Sequence, residues 1–515
     1  MPRALVIACL LGLSVAVPLL PCSAQPEPCA ATTASGPVTG LVEGAVSVYR
    51  GIPYAAPPVG DLRWRPPQSV QPWTTPRACT AFGPSCPQKE DKLLVTPAPF
   101  SEDCLYLNVW TTARAGERRP VMFWIHGGGF IQGGAAQSVY DGAALARQGV
   151  VVVTINYRLG PYGFLAHPAL ADEAGDGTSG NYGLMDQLAA LQWVRTNISQ
   201  FGGDPGNVTI FGESAGAVSV NLLMCSPLAR GLFHRAIAQS GAVPERIPDQ
   251  QGAQARGVKY AAKLGIAGTG REALAQLRAK SSEDLLAAFA NTTPLPGSGN
   301  LDCLCVDGRV LTELPGKTFA AGRQTNVPYM AGTNRDEGTL FRRNLPIKTV
   351  AGYQAGLQAL FGDRATDVAA MYPVATDAEV PGAVAAILGD AFVSGARRAV
   401  RWMAAVQPHT YLYHFTRTNA LSDRLGLGCF HGLEIPYVFG SGAMLRLAPR
   451  ESELAAQMMG YWTRFAATGD PNGDGSVTWP AYSQAADQHL ELNLPPRVGR
   501  GLRKAQCDFR DSLRP

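Results

Sequence analysis

Charged residues are scarce in this chain of 515 residues, and neither sign dominates. They make up 16% of the sequence, with 44 Lys and Arg against 40 Asp and Glu, for a formal net charge of +4. Binding to nucleic acid or to an anionic membrane surface through charge needs clustered Lys and Arg, so the composition argues against both classes. Hydrophobic residues reach 46%, which also argues against an intrinsically disordered chain.

Long apolar runs are missing from residues 25–515. No segment there has the 18 uninterrupted apolar residues of a membrane-spanning helix. Residues 1–24 themselves have the pattern of a secretory signal peptide, with a positive start, an apolar stretch and a small-residue cleavage site. A transmembrane anchor is the alternative, but the stretch is short and contains Pro18. A lipoprotein modified at Cys22 is less favoured because Pro21 precedes it. We therefore expect one mature domain, residues 25–515, secreted or periplasmic and without stable membrane insertion.

Metal-binding motifs are incomplete. Cys303 and Cys305 resemble half of a zinc site, but no second Cys/His pair follows at ligand spacing. Asp470 begins a segment like a calcium loop, but its twelfth position is Ala481 where a Glu is needed. We expect no metal and no cofactor.

The chain has 11 cysteines, and Cys9 and Cys22 leave with the signal peptide. The odd number that remains leaves at least one thiol unpaired, even in an oxidising compartment. For Cys429 we favour a small buried side chain over a disulfide. The nine are Cys29, Cys79, Cys86, Cys104, Cys225, Cys303, Cys305, Cys429 and Cys507.

Short apolar runs alternate with helical patterns, which predicts an α/β fold with a mostly parallel sheet flanked by helices. Residues 242–325 and 340–400 show helical patterns and no strand rhythm, so we expect them to be helical insertions over one end of the sheet. Residues 46–65 are rich in Pro and Gly and are expected to form an ordered loop. The predicted strands are 121–125, 150–155, 208–211, 236–239, 327–331 and 411–415.

The strongest chemical signal is the sequence Gly-Glu-Ser-Ala-Gly at 212–216, which directly follows a predicted strand and precedes a helix-like segment. A strand, a sharp turn and a helix are the context in which Ser214 becomes an exposed nucleophile. The glycine-rich segment 126–130 (His-Gly-Gly-Gly-Phe) ends another predicted strand, so its backbone N–H groups can approach a substrate oxygen. Together the two segments indicate a nucleophile beside an oxyanion hole.

A nucleophilic serine needs a histidine base, and the base needs a carboxylate that orients it. Segment 334–338 (Asn-Arg-Asp-Glu-Gly) follows a predicted strand and offers Asp336 or Glu337. His431 follows the last predicted strand, which gives the chain order serine, acid, histidine. The base must be neutral, so activity should fall as the pH drops through roughly 6 to 7. The histidines weighed against His431 are His126, His167, His234, His409 and His414.

These motifs resemble those of type-B carboxylesterases, the cholinesterase-like branch of the α/β-hydrolases. The similarity runs from about residue 46 to residue 509, with several further motifs in the family order. They are 101–109 (SEDCLYLNV), 156–158 (NYR), 180–187 (GNYGLMDQ), 201–205 (FGGDP) and 468–472 (TGDPN).

The resemblance implies a Ser214–His431–Glu337 triad, with Glu337 rather than Asp336 as the acid. It implies oxyanion donors at Gly128, Gly129 and Ala215, and acidic groups at Glu213 and Glu434 that help to hold the histidine and shape the pocket. It also implies a disulfide between Cys86 and Cys104.

The expected function is hydrolysis of small-molecule carboxylic esters through an acyl-enzyme. An alternative is a hydrolase of amides or polymeric esters with the same machinery, and a less favoured one is a non-catalytic binding protein of cholinesterase-like fold. Segment 87–103 contains no Trp or Tyr, and its only aromatic residue is Phe100. Choline esterases of this family carry a Trp there, so we expect neutral esters of short to medium acyl length.

Overall fold

The computed structural model describes residues 27–90, 96–97, 99–114, 116–290, 301–441 and 449–513. The proposed signal peptide lies outside this range. Within the described residues, no helix is long and apolar enough to cross a membrane. The described strands form one sheet of 13 strands.

The strands run in chain order as β1 Pro28–Thr33, β2 Gly36–Glu43, β3 Val46–Pro53, β4 Arg77–Ala78, β5 Tyr106–Thr111, β6 Arg119–Ile125, β7 Val151–Ile155, β8 Gly203–Glu213, β9 Arg235–Gln239, β10 Tyr329–Asn334, β11 Thr410–Phe415, β12 Gln488–Leu492 and β13 Arg497–Arg500. Their order across the sheet is β1-β2-β3-β5-β7-β6-β8-β9-β10-β11-β12-β13, and β4 pairs with β2. From β7 to β12 the strands are parallel, while β1, β2, β3, β5 and β13 join antiparallel. The predicted mostly parallel sheet is confirmed.

The α-helices are α1 Ala143–Arg147, α2 Gly160–Phe164, α3 Pro168–Ala174, α4 Tyr182–Asn197, α5 Ala215–Cys225, α6 Gln250–Lys263, α7 Arg271–Arg278, α8 Ser282–Ala290, α9 Pro315–Ala320, α10 Gly338–Phe341, α11 Val350–Phe361, α12 Ala365–Met371, α13 Val380–Ala404, α14 Ala420–Leu425, α15 Ile435–Phe439, α16 Pro449–Thr468 and α17 Lys504–Ser512.

The sheet is covered on both faces, as its continuous apolar strands require. Strand β6 illustrates this, because its successive side chains point to opposite faces. Val121, Phe123 and Ile125 pack into one core with α4, α5 and α13. Met122 and Trp124 pack into the other core with α16.

All six sequence-predicted strands are present, but residues 46–65 are not a loop throughout, and this prediction was wrong for 46–53. These residues form β3, which pairs antiparallel with β2 and β5. The Pro and Gly that suggested a loop lie at the end of the strand, and the register shifts between Tyr49 and Ile52. A proline at a strand end removes no central ladder hydrogen bond.

The described parts of 242–325 and 340–400 contain helices and no named strand, as predicted. Helices α11 and α12 build a separate small core with the start of α13. The rest of α13 is not an insertion, which corrects the prediction for its residues. Val393, Ala396 and Val400 are buried in the main core, so α13 is the crossover between the parallel strands β10 and β11.

Strand β13 is an edge of the sheet within the described residues, since it pairs only with β12 there. Arg497 and Arg500 on this strand are exposed.

Candidate active site

Ser214 lies at the turn between β8 and α5, where the parallel strands end. Its backbone has φ 56° and ψ −122°, which is unfavourable for a residue with a side chain. Two hydrogen bonds hold it: its N–H donates to Gln239 O at 2.8 Å, and its carbonyl accepts from Val218 N–H at 2.9 Å. Such strain at a strand-to-helix turn is what aims a nucleophile out of the sheet.

Gly216 lets this turn pack against β6. A Cβ atom there would lie 2.0 Å from the Ile125 carbonyl oxygen, which is backbone and unable to yield. Only glycine allows so close an approach.

The glycine-rich loop lies directly beside the turn. A Cβ atom on Gly127 would be 3.1 Å from Ser214 Cβ. Gly128 and Gly129 have φ values of 100° and 63°, a region that favours glycine. Ala215 is the first residue of α5, so its N–H is at the positive end of a helix. The structure thus places the glycine-rich loop and the start of α5 beside Ser214, where the sequence predicts the oxyanion donors.

His126 helps to hold this loop in place. Its carbonyl accepts a hydrogen bond from the Tyr157 hydroxyl at 2.9 Å, and the two rings stack with centroids 4.5 Å apart. Burial lowers the pKa of His126 to about 4, so its imidazole stays neutral at ordinary pH. This histidine is packed against Tyr157 and supports the glycine-rich loop.

His431 and Glu337 are in contact. The distance from His431 Nδ1 to Glu337 Oε2 is 2.5 Å, although the residues are 94 positions apart in the chain. Glu337 is completely buried, and its other oxygen accepts hydrogen bonds from Asn334 N–H at 2.7 Å and the Ser240 hydroxyl at 2.5 Å. The carboxylate is therefore fixed on one side and presented to the imidazole on the other.

The second imidazole nitrogen faces the turn that carries Ser214. His431 Nε2 lies 3.0 Å from Oε1 of Glu213, the residue immediately before Ser214. Glu213 is 5% exposed and His431 8%, so this contact is nearly free of solvent.

The electrostatics of His431 follow from these neighbours. Burial lowers the pKa of its imidazole, but the carboxylates of Glu213, Glu337 and Glu434 outweigh this and raise the pKa above its ordinary value of 6.5. Burial has the opposite effect on the Glu213 carboxyl and raises its pKa. The nearby His431 lowers this pKa, but by less than burial raises it. The site therefore stabilises an imidazolium, the form that a catalytic base takes after it accepts a proton.

Glu434 is buried behind this group and does not touch the imidazole directly. Its carboxylate accepts from Gln239 Nε2 at 3.1 Å and from Asn334 Nδ2 at 2.6 Å. Burial raises the pKa of Glu434, and the nearby Glu337 raises it further. Both acidic residues expected near the histidine are thus present, Glu213 in contact and Glu434 behind.

Sequence reasoning missed two aromatic residues at the site. Phe341 and Phe392 each place a ring centroid 4.9 Å from that of His431, and they stack on one another at 5.6 Å. Phe341 belongs to α10 and Phe392 to α13. No local motif marks either ring, since their meeting depends on how these helices pack.

The remaining histidines serve other purposes. His167 accepts Ala169 N–H at 3.2 Å, and His234 accepts Val208 N–H at 3.1 Å. His414 is buried in β11, where burial lowers its pKa to about 4. His409 donates its backbone N–H to Gln407, next to β11. His489, which the sequence analysis did not weigh, lies in β12.

The expected disulfide between Cys86 and Cys104 is present, with Cα atoms 5.1 Å apart. Cys429 is buried and not in a disulfide, as favoured from the sequence, and its thiol donates to the Phe415 carbonyl at 3.0 Å. The other cysteines of the described residues are also unbridged: Cys29, Cys79, Cys225, Cys303, Cys305 and Cys507. Within that same part of the chain, no group of three or more His, Cys, Asp or Glu could hold a metal ion.

Comparison with known proteins agrees with this geometry. The model of the carboxylesterase family matches residues 27–510. The solved structure of a PNB esterase superposes with a TM-score of 0.81 at 34% identity, covering 94% of this chain and 99% of that one. The fold is therefore the α/β-hydrolase fold.

Curated relatives extend over most of the chain. Fumonisin B1 esterase of Sphingopyxis macrogoltabida is 41% identical, over 88% of this chain and 85% of its own. Para-nitrobenzyl esterase of Bacillus subtilis is 38% identical, over 90% and 94%. Liver carboxylesterase 1 of Mus musculus is 34% identical, over 91% and 89%. The chain belongs to the carboxylesterase family and is a carboxylic ester hydrolase.

Proposed function

We propose that the chain hydrolyses esters through an acyl-enzyme on Ser214, with His431 as the base and Glu337 as the group that orients it. The observation that carries this proposal is the buried 2.5 Å contact between His431 Nδ1 and Glu337 Oε2. Both residues follow C-terminal ends of parallel strands, as the strained Ser214 turn does. A carboxylate at Nδ1 fixes the imidazole with Nε2 as the free acceptor for the serine proton.

The reaction proceeds in two halves. Ser214 Oγ attacks the ester carbonyl carbon as its proton passes to His431 Nε2, and the oxyanion accepts hydrogen bonds from Gly128, Gly129 and Ala215 N–H. The alcohol leaves with the proton from His431. Water then attacks the acyl group by the same route and releases the acid.

The position of Nε2 beside Glu213 fits this sequence. Catalytic hydrogen bonds are often loose without substrate and tighten in the Michaelis complex. When substrate fills the site, the imidazole of His431 turns so that Nε2 leaves the Glu213 carboxylate and contacts the Ser214 hydroxyl. The shift is small because Ser214 is the next residue after Glu213. Phe341 and Phe392 confine the ring during that movement.

Ser214→Ala tests the nucleophile. We expect the kcat to fall on the order of 10⁴-fold or more, with an unchanged melting temperature, because alanine fits the site and only the hydroxyl is lost. An organophosphate should add one adduct, on Ser214, by mass spectrometry. The control Ser199→Ala removes an exposed serine outside the site and should leave activity unchanged. A folded Ser214→Ala protein with more than a tenth of the wild-type rate would contradict the proposal.

We also propose that the preferred substrates are neutral esters with short to medium acyl chains. Segment 87–103 offers no Trp or Tyr to bind a quaternary ammonium, and cation–π attraction contributes roughly 0.5 to 2 kcal/mol per desolvated ring. The relatives are named as esterases and a carboxylesterase, which supports an ester substrate.

The substrate test compares acetylthiocholine with its neutral tert-butyl isostere at equal ionic strength. We expect kcat/KM values within about tenfold of each other. A preference for the cation of more than about tenfold, roughly 1.4 kcal/mol, would show that an ammonium site exists. A panel of nitrophenyl esters of rising acyl length then defines the acyl preference.

We propose that the enzyme acts in the periplasm or outside the cell, after cleavage behind Ala24. The signal-like sequence at 1–24 supports this, and so does the Cys86–Cys104 disulfide, since disulfides persist in oxidising compartments. N-terminal sequencing of the exported protein should begin at Gln25. Active enzyme confined to the cytoplasm with an intact N-terminus would contradict the proposal.

A further inference from the structure

The two segments that supply Glu337 and His431 are joined by hydrogen bonds away from the side chains themselves. The backbone N–H of Asp336 donates to the Cys429 carbonyl at 2.9 Å. In return the Cys429 N–H donates to Asp336 Oδ2 at 2.7 Å. The pair is reciprocal, with one partner directly before Glu337 and the other two residues before His431.

The approach of the two segments requires a glycine. Gly428 has φ 61°, and a Cβ atom on it would lie 2.4 Å from Asp336 Oδ2. Arg335 holds the same oxygen from the solvent side, at 2.8 Å from its Nη2. The Asp336 carboxylate is thus fixed between a surface guanidinium and a buried N–H group, an arrangement in which a charge-assisted hydrogen bond is strong.

Two further hydrogen bonds join the same segments on either side of Asp336. Thr339 Oγ1 donates to the Leu427 carbonyl at 2.6 Å. Asn334 Nδ2 donates to the Phe430 carbonyl at 2.8 Å. We name the contacts of Asn334, Asp336 and Thr339 with residues 427–430 the acid–histidine clamp.

We propose that Asp336 is a positioning residue, which sets the Glu337–His431 distance by clamping the histidine segment to the acid segment. This inference rests on the proposed triad. The Glu337–His431 contact is made by the tips of two side chains from separate segments, so its length depends on how the segments are held. A displacement near 1 Å at a catalytic contact costs up to about 100-fold in rate.

Asp336→Ala removes the acceptor for Cys429 N–H and should lower kcat by about tenfold, with KM within about twofold. It should also move the acidic limb of the kcat/KM–pH profile to lower pH, because a looser Glu337 stabilises the imidazolium less. Asp336→Asn keeps an oxygen that can accept from Cys429 and should restore most of the activity. Thr339→Val should show a smaller loss that Thr339→Ser restores.

The control is Asp367→Ala in α12, which removes another arginine-paired carboxylate, held by Arg364 at 2.6 Å. It should leave kcat and the pH profile unchanged. Melting temperatures of all variants separate unfolding from misplacement.

A double variant shows whether Asp336 acts through Glu337. In a Glu337→Gln background, adding Asp336→Ala should cost less than about twofold, since the contact that it positions is already lost. An additional loss of tenfold there would overturn the inference, as would an Asp336→Ala protein with wild-type kcat and pH profile. If Glu337→Gln itself keeps wild-type activity, the proposed triad fails and the clamp with it. If only Asp336→Ala is silent, the triad stands and the clamp alone is wrong.

Discussion

At the scale of single residues, the site concentrates carboxylates around one imidazole. Glu213 lies at Nε2 and Glu337 at Nδ1 of His431. Glu434 interacts with the imidazole electrostatically and also raises its pKa. The sequence alone predicted a loss of activity between roughly pH 6 and 7, which assumed an ordinary histidine. Because the structure raises the pKa of His431, the expected midpoint lies above 6.5.

Glu213→Gln tests this account of the pH dependence. In the proposed mechanism the neutral imidazole is the active base, so activity rises with pH through the pKa of His431. Removing the carboxylate 3.0 Å from Nε2 lowers that pKa and should move the acidic limb of kcat/KM about one unit to lower pH. Glu434→Gln is the matched control, with a smaller shift since Glu434 is the more distant charge. An unchanged midpoint in Glu213→Gln would contradict the argument.

The site residues differ in how far sequence could predict them. Ser214 and Gly128 lie in short local motifs whose turn geometry is dictated by neighbouring residues. Asp336 and Glu337 could not be separated by spacing, and only the family resemblance favoured Glu337. The structure gives each a distinct contact, Glu337 with the imidazole and Asp336 with the backbone of Cys429. Phe341 and Phe392 had no sequence signal, because helix packing brings them together.

At the scale of elements, six parallel strands were predictable from their apolar runs, whereas the parallel strand β12 and the antiparallel strands were not. Strands such as β7, with every residue buried, appear in the sequence as continuous apolar runs. Strand β2 alternates buried and half-buried residues around Gly and Pro, so it has no such run. Strand β3 was misinterpreted as a loop for the same reason.

Gly216→Ala tests the close packing of the Ser214 turn on β6. The added methyl group would lie 2.0 Å from a backbone oxygen, so the turn or β6 must shift. We expect a loss of about 1 to 3 kcal/mol in stability and a large loss of kcat, read by thermal unfolding and ester hydrolysis. The control Gly382→Ala adds a methyl group in α13 with nothing within 4 Å and should leave stability equal or slightly higher. Equal melting temperatures for both variants would refute the packing argument.

At the scale of the whole molecule, one sheet carries the site between two large cores, and the helical segments contribute a third, smaller one. Because β8, β10 and β11 are parallel, their C-terminal ends lie on the same side of the sheet. Residues from distant parts of the chain meet there. This arrangement was predictable from the alternation of strands and helices. The exact packing of α10 against α13 was not, because it depends on tertiary contacts.

The Cys86–Cys104 disulfide should contribute to the stability of the whole protein. It closes a loop with a sequence separation of 18, which is worth about 3 kcal/mol in the chain-entropy model. A reductant should therefore shorten the half-life of activity at elevated temperature. A Cys86→Ala/Cys104→Ala double variant should start with the shorter half-life and not respond to reductant. Wild-type activity with the same half-life in the presence and absence of reductant would contradict this expectation.

The exposed arginines of β13 have a consequence for colloidal behaviour. An edge strand presents unpaired backbone groups to which a second molecule can add a strand, and such additions lead to aggregates. Arg500 and Arg497, which also pairs with Glu491 of β12 at 2.7 Å, place guanidinium groups on this edge that a self-associating pair would bring together. Exchange of both for valine would leave catalysis intact and make the concentrated enzyme prone to precipitate on storage.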